Sequence, residues 1–378
     1  MKAVASISQH PVTALAVGEV AGAILEGLQG SPVDLLFVFI DSSHTGAVED
    51  ISSACVQLLS PGVMVGATAA GVIGQVNEVE DAPAISAWAA TGVDATPLRI
   101  SPGESAPEGG WPAKPGATDA HVLLLADPFS TALDNAFANA ASSSPGLRLH
   151  GGLASGARGP GGNRLLLDGA IYSDGAVGVD LGSTPVRSVV SQGCRPVGMA
   201  HTVTGAQGNV ITELASQRPL DVLEAIARNA SPEDQQLLAG GFQIGVAFNE
   251  AQVEEYDQGD FLIRGILGAD PKSGAIAIAT DIEVGTTVQF QVRDATSASD
   301  ELARLLTGTE GGAAKAALTF TCTGRGLRFF GRSGHDAELV HDLTGSMATA
   351  GMFCTAEFGP VGTVNHVHGF TASTVLFE

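Results

Sequence analysis

The chain is poor in charged residues, and especially in basic ones. Only 15% of its 378 residues are charged, and Asp and Glu outnumber Lys and Arg by 40 to 18, which gives a net charge of −22. Phosphate-binding surfaces need clustered cations, and no basic stripe occurs along the sequence. The composition therefore excludes nucleic acid as a partner and argues against binding to anionic membranes. The four lysines lie away from the glycine-rich strand ends, so a Schiff-base lysine is not expected: Lys2, Lys114, Lys272 and Lys315.

Long apolar runs and paired cysteines are also absent. No stretch reaches the roughly 18 apolar residues that a membrane-spanning helix needs. His10 and Pro11 interrupt the apolar character of the first segment, so we expect no signal peptide. The cysteines are far apart and lack CxxC spacing: Cys55, Cys194, Cys322 and Cys354. We therefore expect a cytoplasmic protein with four free thiols.

Common catalytic and cofactor motifs do not occur. The sequence has no GxxxxGK[ST] and no HExxH. Gly324-Arg325-Gly326 lacks the third glycine of a dinucleotide turn, and the serine in Gly152–Gly156 is misplaced for a nucleophile elbow. We predict no cofactor, no metal and no enzymatic activity; the alternative is a cysteine-dependent enzyme.

Glycine is abundant, and it accompanies a pattern that occurs three times. The chain has 49 glycines and a mean hydropathy of +0.23, which indicates folded domains with many short strands and tight turns. Each copy has a buried strand, a helix, a second buried strand, glycine turns and a closing strand. The copies begin at Asp34–Ile40, at His121–Leu125 and at Ala317–Cys322. The predicted fold class is α/β to α+β, with two domains built from repeated β-α-β-turn-β units, mixed sheets and flanking helices.

A different segment lies between the second and third copies. It predicts a hairpin over Val197–Leu214, a helix over Leu220–Arg228 and a four-stranded meander that ends with Thr287–Val292. We place the domain boundary near Val189, giving domains 1–189 and 190–378. Ser101–Gly116 is predicted to be an exposed loop.

The third copy carries a set of polar residues that could line a binding site. Cys322 ends a buried strand and Arg325 follows in the turn, where its planar fork of donors suits a carboxylate. Glu357 lies between apolar residues and a Gly-Pro turn, where it could hold an amine or satisfy loop amides. The predicted ligand-binding residues are Ser155, Cys322, Arg325, Cys354, Glu357, Asn365 and His368. For each of them, a structural role in the core, a turn or the surface is the open alternative.

Three further motifs have simpler interpretations. His366 and His368 would share one face of a strand, but no partner spacing supports a zinc site. The dipeptide His335-Asp336 is expected at a helix cap or on the surface. The run Gly151–Gly162 could present backbone N–H groups to an anion, or it could be a flexible loop.

Several segments resemble the FIST family. They are Ser191–Leu214, the FTCTGRG segment around Cys322 and Ala350–Phe377, with weaker likeness at Gly71–Glu80 and in the GGLASG run. The resemblance covers nearly the whole chain as a FIST N domain (1–189) followed by a FIST C domain (190–378). It implies a cytoplasmic sensory protein that binds a small ligand, with amino acids as proposed ligands, and acts in signal transduction.

The resemblance brings no established catalytic residues. We expect no output domain in this chain and therefore expect signalling through a partner protein. Two alternatives stay open: an enzyme that uses Cys322 or Cys354 as nucleophile with His366 or His368 as base, and a protein-interaction module with an acidic surface.

Overall fold

The structure, a computed structural model, describes residues 1–112, 120–248, 258–308 and 312–378. Its first compact unit contains Met1–Ser191, Leu302–Val367 and Thr371–Glu378, and its second contains Gln192–Glu301 with His368–Phe370. The second unit is thus inserted in the sequence of the first. The predicted domains 1–189 and 190–378 follow chain order, whereas each compact unit is defined by contacts. The predicted boundary stays a prediction. Of the predicted loop Ser101–Gly116, residues 113–116 lie outside the described residues.

The first unit is built from three repeats of one strand pattern. The first repeat contains β1 (Lys2–Ser8), α1 (Thr13–Leu28), β2 (Leu35–Asp41), α2 (Val48–Leu59), β3 (Val63–Ala69), β4 (Gly71–Gly74), β5 (Asn77–Glu80) and β6 (Ile85–Thr91). The second contains β7 (Thr96–Ile100), β8 (Ala120–Ala126), α3 (Leu133–Ser143), β9 (Leu147–Leu153), β10 (Leu165–Leu167), β11 (Ala170–Tyr172) and β12 (Ala176–Asp180). The third repeat begins with β13 (Val186–Gln192), and its remaining strands follow the inserted unit.

The inserted segment supplies the second unit, a closed barrel. Its elements are β14 (Cys194–Gln207), β15 (Val210–Leu214), α4 (Pro219–Asn229), α5 (Pro232–Leu238), β16 (Gln243–Ala247), β17 (Phe261–Ala269), β18 (Ile276–Ile278) and β19 (Thr287–Arg293). The predicted hairpin is present as β14–β15. The predicted meander is wrong in its last step, because β19 pairs with β16 and β14 and so closes the barrel in the order β14-β15-β18-β17-β16-β19. Closure leaves none of these strands as an open edge.

The chain then returns to the third repeat. It contains α6 (Ala295–Thr307), β20 (Ala316–Cys322), α7 (Leu327–Phe330), α8 (His335–Thr344), β21 (Ala348–Cys354), β22 (Glu357–Val361), β23 (Val364–His368) and β24 (Thr371–Phe377). The final strand predicted from about His366 is two strands, because Phe370 adopts a left-handed φ of 63° between them.

The three repeats share one pairing scheme. In each, two strands are parallel (β2–β3, β8–β9, β20–β21), and a later strand is antiparallel to the first of them (β6, β12, β24). Every residue of β2, β8 and β20 is buried, which explains why their sequences are mostly apolar. The mixed sheets with flanking helices confirm the predicted α/β to α+β class.

Each repeat also donates its hairpin to the sheet of another repeat. The hairpin β4–β5 extends the third sheet from β21, β10–β11 extends the first sheet from β3, and β22–β23 extends the second sheet from β9. This cyclic exchange joins the three sheets around one apolar core that takes side chains from all of them, including Phe37, Leu123 and Phe320. The exchange makes equivalent positions in the three repeats directly comparable.

Candidate functional site

One glycine in each repeat fixes the equivalence of positions. A Cβ on Gly66, Gly151 or Gly351 would lie 2.5, 1.9 or 1.7 Å from the carbonyl oxygen of the paired residue on the neighbouring parallel strand. Those paired residues are Val38, Leu124 and Thr319. Each glycine is also paired with one residue of the incoming hairpin: Leu166, Phe358 and Ile73, respectively. A side chain is excluded at the same place three times, so the repeats align without gaps on these strands.

This alignment identifies Glu357 as an exceptional residue. It directly precedes Phe358 in the incoming hairpin, as Leu165 precedes Leu166 and Val72 precedes Ile73. Leu165 and Val72 are fully buried members of the central core. Glu357 is equally buried, with no exposed surface. The third repeat therefore places a carboxyl group where the other two place apolar side chains, although burial of a carboxylate is costly.

Thr371 is the partner of this carboxyl group. Its hydroxyl donates to Glu357 Oε2 over 2.6 Å, and its backbone N–H donates to the same oxygen over 3.3 Å. The equivalent positions in the other repeats, one residue before the paired segments of β6 and β12, are Ala84 and Gly175. Burial raises the pKa of Glu357 to about 8, although the hydrogen bonds from Thr371, the charge of Arg325 and the Cys322 thiol lower it. Glu357 is therefore mostly protonated at neutral pH.

Cys322 occupies a position that the other repeats give to aspartate. Asp41 accepts from the backbone N–H of Ser43 over 2.9 Å, and Asp127 accepts from that of Phe129 over 3.1 Å. In the same i, i+2 geometry, Gly324 N donates to Cys322 Sγ over 3.5 Å. The turn after β20 is thus capped by sulfur instead of carboxylate, which leaves a thiol beside Glu357.

Arg325, in that turn, is held by Asp336 at the start of α8. The guanidinium Nε and Nη2 donate to Asp336 Oδ2 and Oδ1 over 2.9 and 3.0 Å, and both side chains are about 1% exposed. Thr321 donates to Asp336 over 2.7 Å, and His335 Nδ1 lies 2.9 Å from its other oxygen. The Arg325 charge and these hydrogen bonds outweigh burial and hold the pKa of Asp336 well below its usual range. The pair is a fully buried, hydrogen-bonded ion pair.

The β4–β5 hairpin of the first repeat adds two more carboxyl groups to this cluster. Glu78 accepts from the backbone N–H of Ala337 in the first turn of α8 over 2.9 Å, and Glu80 accepts from that of Leu327 over 2.7 Å. Burial, with the charges of Asp336 and Glu80, raises the pKa of Glu78 to about 8. The cluster therefore contains two buried carboxyl groups that are largely protonated at neutral pH, next to one ionised pair.

Two family models match consecutive parts of the chain. The model of the FIST N domain matches residues 34–217, and that of the FIST C domain matches residues 219–360. The chain belongs to the FIST family. An uncharacterized protein of Mycobacterium tuberculosis is 40% identical over 380 residues, 98% of each chain. An uncharacterized protein of Mycobacterium bovis is 39% identical over 365 residues, 95% of this chain and 94% of its own length. FIST domains are recognised as sensory-type domains.

Of the remaining predicted residues of this FIST protein, Cys354 adjoins the cluster, whereas Ser155 and Asn365 are bonded to backbone groups. Cys354 is paired in register with Cys322 on the parallel strands, and burial raises its thiol pKa well above the usual value. Ser155 Oγ donates to Phe353 O over 2.5 Å and accepts from Ala70 N over 2.9 Å. Asn365 bonds to the backbone of β9, accepting from Leu149 N and donating to Leu147 O. His368 ends β23 and is buried.

Sequence reasoning missed several members of the cluster. The placement expected for His335-Asp336, at a helix cap or on the surface, is wrong, because Gly334 is the N-cap of α8 and both side chains are buried. Asp336 instead neutralises Arg325. Glu78 lies within the segment that resembles the FIST N domain. Nothing in the sequence indicates that it accepts a hydrogen bond from Ala337 in α8, 259 positions later. Thr371 belongs to no sequence motif that would indicate a functional role. A comparison of the repeats position by position would have identified Glu357 and Thr371 together.

The second unit contains a separate cavity of about 530 Å³. It is lined on one side by α4 residues such as Val222 and Ile226, and on another by Arg195, which pairs with Asp234 and Asp294.

Within the described residues, no group of three His, Cys, Asp or Glu side chains is placed to hold a metal ion. Likewise, in the described parts of the chain, no helix combines the length and apolarity needed to cross a bilayer.

Proposed function

We propose that this FIST protein is a cytoplasmic sensor that binds a small metabolite, an amino acid or a similar amine, at the Glu357 cluster. One observation carries the proposal: Glu357 and Thr371 form a buried polar pair where both other repeats have apolar or glycine residues. A polar pair that the fold does not need at this position is best explained by a ligand.

The chemistry of the pair favours a cationic group. Glu357 is protonated in the folded protein because burial opposes its charge. An ammonium group beside Glu357 would stabilise the carboxylate, so binding would release a proton near neutral pH. Cys322 and Cys354 would contact the uncharged part of the same ligand.

Arg325 has a more restricted role than its sequence motif suggests. Its Nε and Nη2 are already bound to Asp336, so a ligand carboxylate would have to share the guanidinium with that residue. The proposal keeps Arg325 as the carboxylate partner of an amino acid ligand. Arg325→Lys retains the charge but loses the fork, and it should weaken binding of an amino acid more than binding of the corresponding amine.

Signal output would pass to a partner protein. A ligand that ionises Glu357 changes the charge of a cluster in which β4–β5 of the first repeat is bonded to α8 of the third. The partner would recognise the contact between β4–β5 and α8 once the bound ligand has ordered it.

The test begins with a thermal-shift screen of amino acids and amines on the full chain, followed by isothermal titration calorimetry of any ligand found. Titrations in two buffers of different ionisation enthalpy should reveal proton release at pH 7. Glu357→Gln should weaken binding by at least about tenfold and abolish the buffer dependence.

Asp234→Asn provides the matched control, because it changes an acidic residue at the cavity of the second unit instead. It should leave the affinity unchanged. Loss of binding in Asp234→Asn with full binding in Glu357→Gln would move the site to the barrel and refute the proposal, and so would a screen in which no amino acid or amine binds.

A further inference from the structure

A small polar cavity in the first unit has a lining that contains none of the residues of the cluster around Glu357. Its volume is about 280 Å³, and its lining includes His121, Arg148, Arg187, Ser188 and Gly362. His121 and Arg148 are the second residues of the parallel strands β8 and β9, and they are paired in register. The cavity therefore lies at the amino ends of these strands, whereas Cys322 and Cys354 are at the carboxyl ends of theirs.

The repeats show that this polarity is peculiar to the second repeat. Counting from the aligning glycines, His121, Arg148 and His150 correspond to Leu35, Val63 and Val65 in the first repeat and to Ala316, Ala348 and Ala350 in the third. All six of those residues are buried members of the central apolar core. Three basic side chains thus replace apolar ones at equivalent positions, which the fold itself does not require.

His121, which lines the cavity, is supported by a second histidine that does not. His121 Nδ1 lies 2.9 Å from His150 Nε2, and the rings are stacked with centroids 5.2 Å apart. His150 is completely buried, and burial, with the charges of His121 and Arg148, lowers its pKa well below the usual value. His150 therefore stays neutral and fixes the ring of His121, which lines the cavity.

The two arginines are held by main-chain carbonyls. Arg148 Nη1 donates to Gly362 O and Arg187 Nη2 donates to Ala313 O, each over 2.9 Å. Arg187 Nε also pairs with Glu378 over 2.9 Å, with the two side chains 23% and 51% exposed. An ion pair this exposed is weak, so it does not prevent Arg187 from attracting another anion. Anchored guanidinium groups need little reordering to bind an oxyanion in a bidentate manner.

We propose that this cavity binds a small oxyanion, the phosphate or carboxylate group of a metabolite, between Arg148, Arg187 and His121. The charge of the chain strengthens the inference, since two of its 18 Lys and Arg residues converge in one cavity of a protein with net charge −22. The volume is below that of a site for a drug-sized ligand, so the ligand is a small anion or the anionic end of a larger molecule.

The test is calorimetric titration of the full chain with inorganic phosphate and, separately, with succinate, at constant ionic strength. Saturable binding of either ion supports the proposal and shows which oxyanion is preferred. Arg148→Met should weaken that binding by about tenfold or more. Arg158→Met, which removes an exposed arginine from a loop of the same repeat, should leave it unchanged.

A measurement on the unaltered protein guards against a variant that fails to fold. Phosphate or succinate should shift the imidazole resonances of His121 in NMR spectra, assigned with His121→Gln. Glu357→Gln should retain the anion affinity, which separates this site from the proposed amine site. The inference is overturned if neither ion binds saturably, if the His121 signals do not move, or if folded Arg148→Met binds as tightly as the unaltered chain.

Discussion

The first and third repeats of this FIST protein have the same strands, the same pairing and the same tight glycine, but they differ where the parallel strands end. In the first repeat, Asp41 caps the following turn, and Val72 and Ala84 fill the core. In the third, the equivalent residues are Cys322, Glu357 and Thr371. Because the backbone is shared, the polar residues are not needed for folding. The difference separates what the repeat requires from what has been added to it.

The largest effect is expected at the ion pair of the third repeat. Arg325→Met would leave Asp336 charged and fully buried without its partner, which typically costs about 3–5 kcal/mol of stability. The first repeat has no such pair at its turn among the described residues, so it has no comparable point of weakness. Chemical denaturation at pH 7 gives the free energy of unfolding for both proteins.

Two variants delimit this expectation. Arg325→Met combined with Asp336→Leu removes both charges and should recover most of the loss. Arg332→Met breaks an exposed pair with Glu338 in the same region and should change stability by less than about 1 kcal/mol. Equal losses in Arg325→Met and Arg332→Met would show that burial of the pair is energetically unimportant.

The next effect concerns pH. Burial raises the pKa of Glu357 to about 8 in the folded protein, whereas an exposed glutamate has a pKa of about 4.3. Between these values the unfolded chain releases a proton that the folded chain keeps. Stability therefore falls with rising pH through this window, by about 1.4 kcal/mol per pH unit for one group. Glu78 adds a second falling contribution over the same range.

Converting the third repeat to the residues of the first should remove the Glu357 contribution. The double variant Glu357→Val, Thr371→Ala gives the third repeat the residue types of Val72 and Ala84. It should be more stable than the unaltered chain by roughly 4 kcal/mol at pH 8, which is the slope above accumulated over the window. The gain should disappear near pH 4. Urea denaturation from pH 4 to 8 measures both slopes, and an unchanged slope in the double variant would mean that Glu357 is ionised in the folded state.

The sequence predicted the repeats because buried parallel strands are mostly apolar, and β2, β8 and β20 all follow that rule. It did not predict the hairpin exchange, because β4 pairs with β21 nearly 280 residues away and no local pattern records that contact. The predicted meander was wrong at β19 for the same reason. The alternation of apolar and polar residues in β19 does not show which strand it pairs with, and it pairs with β16 rather than with β18. For the site, Arg325 and Glu357 were visible in motifs, but Asp336 and Glu78 became significant only when the fold brought them together.

The smallest effect tests the turn caps across all three repeats. Asp127 accepts hydrogen bonds from Phe129 N, Ser130 Oγ and Asn163 Nδ2. At the equivalent turns, Asp41 accepts from Ser43 N over 2.9 Å, and the Cys322 sulfur accepts from Gly324 N over 3.5 Å. Replacement by alanine should therefore cost about 2–3 kcal/mol at Asp127, about 1 at Asp41 and less than about 1 at Cys322. Thermal denaturation of the three single variants gives the order.

A different order would change the interpretation of Cys322. If Cys322→Ala costs as much stability as Asp41→Ala, sulfur caps the turn as well as carboxylate does, and the cysteine is explained by structure alone. If Cys322→Ala is nearly neutral for stability but weakens the amine ligand, the thiol belongs to the site. The third repeat would then have exchanged the stronger cap of its neighbours for a side chain that contacts a ligand.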